Sequence, residues 1–235
     1  MALYERKGNR LERGLIAHYP LTFRDLGNNV SINLAKKNNT NGTITGAIPG
    51  VDFRGDEAGA TSFDGVDDYV EIPHNAAQLG ANLANGFTIS VWINVKSQGE
   101  SGGRFLDKST TTTGGAGFYF RIATSDRLAL QINSGPAILS AVNPIVYGTW
   151  YHVLVTVSSA QLVNFYVNAT LNGTADQDAV QAISTITTTN DMRIGNRSGA
   201  TDRTFDGLIQ DVKMWNRVLT SAEIKELYNS RKRDL

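Results

Sequence analysis

The sequence predicts an all-β fold: two packed antiparallel sheets with one short helix at the C-terminus. Three observations predict it. Apolar residues alternate with polar ones along many short stretches. Dipeptides that tolerate positive φ separate those stretches. A single capped, amphipathic segment stands near the end of the chain. At 235 residues the chain fits one large β domain.

Alternation is clearest in Phe87-Thr88-Ile89-Ser90-Val91-Trp92-Ile93-Asn94-Val95, where every odd position is apolar. A period of two puts Phe87, Ile89, Val91, Ile93 and Val95 on one face, toward a core. The same pattern runs through 151–157 and 163–168. Further strands are expected over 60–63, 69–72, 104–108, 118–123, 128–133, 192–195 and 207–215. Asp64-Gly65, Asn85-Gly86, Gly114-Gly115, Asn172-Gly173 and Asp206-Gly207 are the expected turns, and 38–42 and 110–115 read as exposed loops. At the end, Thr220-Ser221-Ala222-Glu223 has capping-box spacing. Ala222, Ile224, Leu227 and Tyr228 then share a stripe that can pack on a sheet. Arg231-Lys232-Arg233 places positive charge where the helix dipole favours it.

Composition excludes several function classes. Lys and Arg total 22 and Asp and Glu total 22, so the formal net charge is zero. A nucleic-acid binder normally carries a basic surplus, as does a polybasic membrane-surface protein. The absence of cysteine removes a disulfide framework, a thiolate zinc site and a cysteine nucleophile together. No apolar run reaches the roughly 18 residues of a membrane span. The opening MALYERKGNRLERG has charges at Glu5, Arg6, Lys7, Arg10, Glu12 and Arg13 and no apolar stretch of signal-peptide length. The expected organisation is an arm over 1–13, free or docked on a partner subunit, followed by one domain over 14–235. The six Asn-X-Ser/Thr sites, starting at Asn29, Asn38, Asn41, Asn168, Asn172 and Asn196, read as turn composition rather than glycan acceptors.

The stretch Ser62-Phe63-Asp64-Gly65-Val66-Asp67-Asp68-Tyr69-Val70-Glu71-Ile72 resembles the laminin-G-like domains of the concanavalin A-like lectin/glucanase superfamily. Matching segments occur in the family's order. They begin with Gly14-Leu15-Ile16-Ala17-His18-Tyr19-Pro20-Leu21 and Phe87-Thr88-Ile89-Ser90-Val91-Trp92-Ile93. Then come Trp150-Tyr151-His152-Val153, Phe165-Tyr166-Val167 and Met192-Arg193-Ile194-Gly195-Asn196. The last is Phe205-Asp206-Gly207-Leu208-Ile209-Gln210-Asp211-Val212, running into Trp215 and the capped helix. The resemblance spans 14–229 and implies a β-jelly-roll sandwich.

The resemblance also frames the chemistry. Glucanases of the superfamily carry acids in a Glu-x-Asp-x-x-Glu arrangement on one strand, which aims paired carboxylates into a cleft. Neither 119–123 nor 128–133 contains an acid, and Asp67 and Asp68 are adjacent, so a strand would point them apart. No Gly-x-Ser-x-Gly or His-Glu-x-x-His motif occurs. The chain is therefore expected not to be an enzyme. Many relatives bind one calcium ion, which accepts loose sets of oxygens. The matching residue is Asp211, with Asp64 and Asp25 as secondary candidates. The alternative is a carboxylate bonded to neighbouring amides without metal. Thr22 and Gln210 stand where family members often carry acids.

For ligand binding, Trp92, His152 and Tyr166 fall opposite the core stripe of their strands. They would stack on a sugar if that face is open, or pack under loops if it is not. The polar loops 96–103, 109–117, 134–149 and 196–204 are further contact surfaces. Two functional classes follow. One is a virion surface protein (capsid decoration, head fibre or tail component), made in the host cytoplasm and contacting virion proteins or surface glycans. The other is an extracellular carbohydrate-binding lectin module; a glycoside hydrolase ranks third. Free edge strands would allow a homo-oligomer.

Overall fold

The computed structural model describes residues 10–22, 29–35, 40–75, 83–110, 115–141, 145–175 and 188–232. Its strands in chain order are β1 (Leu15–Tyr19), β2 (Val30–Ser31), β3 (Gly42–Thr45), β4 (Ile48–Gly50), β5 (Ala60–Asp64), β6 (Tyr69–Ile72), β7 (Gly86–Ser97) and β8 (Arg104–Ser109). These are followed by β9 (Gly117–Ile122), β10 (Leu128–Ile132), β11 (Ile138–Leu139), β12 (Trp150–Ser158), β13 (Val163–Val167), β14 (Thr170–Ala175), β15 (Met192–Ile194) and β16 (Asp206–Trp215). Helix α1 (Ser221–Lys232) ends the described chain, and a short 3₁₀ turn (Arg10–Glu12) opens it.

The strands form two eight-stranded antiparallel sheets. The first runs β14-β13-β12-β7-β16-β5-β4, with β1 also paired to β16. The second runs β11-β10-β9-β8-β15-β6-β3-β2. The alternating residues Phe87, Ile89, Val91, Ile93 and Val95 meet Phe105, Phe118 and Phe120 of the second sheet in one buried cluster. Aromatic rings interlock there: Phe87 with Phe118 at 5.7 Å and Phe105 with Phe205 at 5.5 Å between centroids. Each such ring removed from water contributes about 1.5–3 kcal/mol.

The first sheet is covered on both faces. On its outer face α1 lays Ile224 and Leu227 against Leu154, Trp215 and Leu219. That is why β7 and β12 are buried at polar as well as apolar positions: Thr88, Ser90, His152 and Thr156 are all inside. The capping box forms as spaced: the Glu223 amide donates to Thr220 Oγ1 at 3.3 Å, and the Thr220 amide donates to Glu223 Oε2 at 2.9 Å. Residues 10–13 of the expected arm lie against this end of the fold. Trp215 Nε1 donates to the Leu11 carbonyl at 2.7 Å, and Arg217 donates to the carbonyls of Arg13 and Arg10. Residues 1–9 fall outside the described residues, as do Arg233 and the side chains of Arg231 and Lys232.

Two expected turns are something else. Asn172-Gly173 lies inside β14, and the hairpin before it turns at Asn168-Ala169, both at positive φ (49° and 62°). That conformation is the one a two-residue hairpin matching strand twist requires. Asp206-Gly207 opens β16 as a register shift rather than a turn. Gly207, at φ 143°, leaves a Cβ no room, since it would sit 2.2 Å from the Asn94 carbonyl oxygen. Residues 111–114, four of the six in the expected loop 110–115, lie outside the described residues, as do 38 and 39 of the loop 38–42.

Candidate functional site

Among the described residues no helix lies on the outer face of the second sheet, which holds a cleft of about 420 Å³. Alternation builds it. Phe118, Phe120, Leu130 and Ile132 point into the core, so their neighbours Tyr119, Arg121 and Gln131 point out. β8 adds Arg104, which lies directly opposite Arg121 in the antiparallel register. A register shift between Arg104 and Leu106 re-aims the start of β8. The walls are Ser101, residues 134–137 and Arg203. These belong to three of the four polar loops that the sequence marks as contact surfaces.

The cleft floor is held rigidly. The Tyr119 hydroxyl donates to Gln131 Oε1, and the Arg104 guanidinium lies 4.0 Å over the Tyr119 ring. Arg104 is 1% exposed and Tyr119 4%. Arg104 Nη1 donates to Asp107 and, at 3.2 Å, to Ser109 Oγ. Asp107 is itself saturated by the Ser109 amide and hydroxyl and by the Ser198 amide. Burial, together with the like charges of Arg121, Arg203 and Arg197, pushes the Arg104 guanidinium down to about 9; the Tyr119 hydroxyl acts the other way. Arg104 remains a cation at neutral pH. Gly102, at φ 88°, makes room for the Arg121 side chain, because a Cβ there would lie 2.4 Å from its Nη1.

The aromatic candidates are placed elsewhere, on the covered face of the first sheet. Trp92 is 3% exposed and stacks on Phe53 at 4.5 Å and on Tyr228 of α1 at 5.7 Å. His152 is 1% exposed and packs on the same two rings, Trp92 and Tyr228. Tyr166 is half-buried against the α1 cluster, and burial raises its hydroxyl pKa. All three therefore pack on the face that α1 covers, and Trp92 also holds Phe53 against it. His152 Nε2 lies 2.7 Å from Ser90 Oγ, the separation of a nucleophile and its base. Burial, however, holds the imidazole down to about 3. Its Nδ1 has no hydrogen-bond partner, so no carboxylate orients the ring.

The metal candidates separate as well. Asp211 is buried at positive φ (55°) in a register shift of β16. Its Oδ1 lies 2.8 Å from His18 Nε2 and its Oδ2 accepts from Lys213 Nζ at 2.5 Å. Both oxygens of this carboxylate are thus engaged by neighbouring side chains. Asp25 falls outside the described residues. Asp64 groups with Asp67 and Asp68, their nearest carboxylate oxygens all within 4.8 Å of one another. Two of those oxygens hold the local turn: Asp64 Oδ1 accepts from the Val66 amide and Asp68 Oδ2 from the Asp64 amide, each at 2.8 Å. Burial, then the charges of Asp64 and Asp67, raise the Asp68 pKa. An all-oxygen set of this kind suits calcium better than zinc.

A two-sheet antiparallel sandwich with a loop-walled cleft on one sheet face has the architecture of a lectin-type jelly roll. The chain belongs to the concanavalin A-like lectin/glucanases superfamily, whose laminin-G-type family profile matches residues 64–225. Among curated proteins, the adhesion G-protein coupled receptor V1 of Danio rerio is 27% identical over 172 residues, covering 68% of this chain and 3% of the receptor. Among solved structures, the binding domain of Paraclostridial mosquitocidal protein 1 superposes with a TM-score of 0.69 at 14% identity, over 94% of this chain and 53% of that one. Domain 4 of an extracellular arabinanase from Geobacillus stearothermophilus, solved with arabinotriose, superposes with a TM-score of 0.67 at 17% identity, over 91% and 98%. The chain thus spans about half of the toxin binding domain and a small fraction of the receptor. No helix among the described residues is long and apolar enough to cross a membrane.

The residues that sequence reasoning missed are Arg104, Tyr119, Arg121 and Gln131. The available signal was polar or charged residues alternating with Phe118, Phe120, Leu130 and Ile132 on strands too apolar to be edges.

Proposed function

We propose that this chain is a non-catalytic glycan-binding module, and that the cleft on the outer face of the second sheet is its binding surface. One observation carries the reading: a cleft on the outer face of the second sheet, floored by the hydrogen-bonded pair Tyr119 and Gln131 and walled by polar loops. An aromatic ring, an amide and guanidinium donors match the flat faces and hydroxyl edges of a sugar.

A glycan array followed by calorimetry tests this. Ala137, exposed at the cleft wall, offers a blocking variant: Ala137→Trp should fold normally and reduce affinity for any sugar hit at least tenfold. Unchanged affinity moves the site elsewhere. Display on a virus particle would use the same surface; co-sedimentation of the expressed chain with particles is the measurement that bears on it, and its absence from particles leaves the extracellular lectin reading.

A further inference from the structure

We infer that the cleft selects sugars carrying a negative charge, a carboxylate or a sulfate, through Arg121 and Arg203, with the buried Arg104 adding its charge from beneath; this rests on the glycan-binding reading above. The first ground is a placement that costs stability. Arg104 and Arg121 are direct partners across β8 and β9, and like charges so opposed are destabilising. Arg203 joins them from the opposite wall.

The second ground is how the neighbouring carboxylates are engaged. Asp107 pairs with Arg104 through Oδ2, and its Oδ1 accepts from Ser109 and Ser198. Asp202 lies 3.9 Å from Arg203, but Arg197 holds it at 2.6 and 3.1 Å. Among the described residues Asp107 pairs with Arg104 and Asp202 with Arg197, while Arg121 makes no ion pair and Arg203 only the long contact to Asp202. The downward push on Arg104 from three neighbouring arginines reports their proximity.

The third ground is geometry. Arg104 is locked over the Tyr119 ring at 4.0 Å, and Arg121 lies 5.7 Å from the same ring. Preorganised planar guanidiniums suit the paired oxygens of a carboxylate or sulfate better than a lone hydroxyl. Tyr119 and Gln131 beside them would engage the ring of the same sugar.

The test is calorimetry of the whole chain against matched pairs that differ in charge alone. Suitable pairs are an oligogalacturonate and its methyl ester, sialyllactose and lactose, and a heparan-type oligosaccharide before and after desulfation. In at least one pair the charged member should bind tenfold or more tightly, and raising salt should weaken that binding. Which pairs respond separates carboxylate from sulfate. Arg121→Gln should abolish the preference and bring the charged member to the affinity of its neutral partner. It should also leave the ligand-free Tm at or above the wild-type value, since it removes the opposed charge. Arg203→Met, on a partly exposed wall, should reduce the preference without touching the sheet. Equal affinity within every pair overturns the charge selection and leaves glycan binding standing. No sugar binding alongside binding of poly-glutamate overturns both.

Discussion

Arg217 holds both carboxylate oxygens of Glu223, at 2.8 and 2.9 Å, at the first turn of α1. The same guanidinium donates to the carbonyls of Arg13 and Arg10, so one side chain joins the helix start to the opening turn of the described chain. The Arg217 contact, foremost, pulls the Glu223 carboxyl from 4.5 down to about 2. A depressed acid pKa stabilises the fold above the unfolded value and ceases to do so as pH falls through the folded one. Glu223→Gln should therefore cost about 2 kcal/mol near neutral pH. The difference from wild type should shrink as pH falls from 4.5 to about 2. Urea unfolding across that window checks it; a difference that stays constant with pH would contradict the assignment.

His152 gives the opposite charge type with the same sign. Burial lowers its pKa from 6.5 to about 3, so the unfolded chain binds a proton in that window that the folded chain refuses. Its contribution is complete above 6.5 and is lost progressively as pH falls toward 3. The stability of His152→Gln should fall less steeply than that of wild type between about pH 6.5 and 4. Parallel pH profiles would show that the imidazole is not shielded.

Trp92 is a fastener of α1. Its ring lies between Phe53 and Tyr228, away from the cleft. Trp92→Ala should cost about 3–5 kcal/mol in denaturant unfolding. Trp92→Phe should retain sugar affinity within about twofold. A large affinity loss in Trp92→Phe would return the binding surface to the first sheet.

Asp211 stabilises a strained corner by ion pairing. Breaking a buried pair such as Asp211 with Lys213 costs about 3–5 kcal/mol. Asp211→Asn should lower Tm by the same amount in calcium and in chelator. A loss that appears in calcium alone would make Asp211 a ligand.

Much of the fold was legible in the sequence because its signals are local. Alternation at 87–95 and 151–157 reports a two-residue period directly, and Thr220 to Glu223 report a cap through their spacing. The short strands β2, β4 and β11 left too few residues for any period to register. Asn172-Gly173 carried turn chemistry but was absorbed into β14, because Asn168-Ala169 had already closed the hairpin.

The cleft was half legible. The polar loops that wall it were readable as contact surfaces, since Ser, Thr, Gly and Asn mark exposed segments. Its floor was not, because alternation sorts residues into two faces without saying which face is covered. Trp92, His152 and Tyr166 follow the expected period and lie on the face that α1 covers.

The sequence by itself determined the class: a cysteine-free, charge-balanced β sandwich with one capped helix. It did so because strand period, turn chemistry and helix caps act within a few residues of themselves. Only the tertiary structure decided which sheet face α1 covers. That choice depends on contacts such as Leu11 with Trp215 and Leu154 with Leu227, whose partners are far apart in the chain and meet only when the sheet forms.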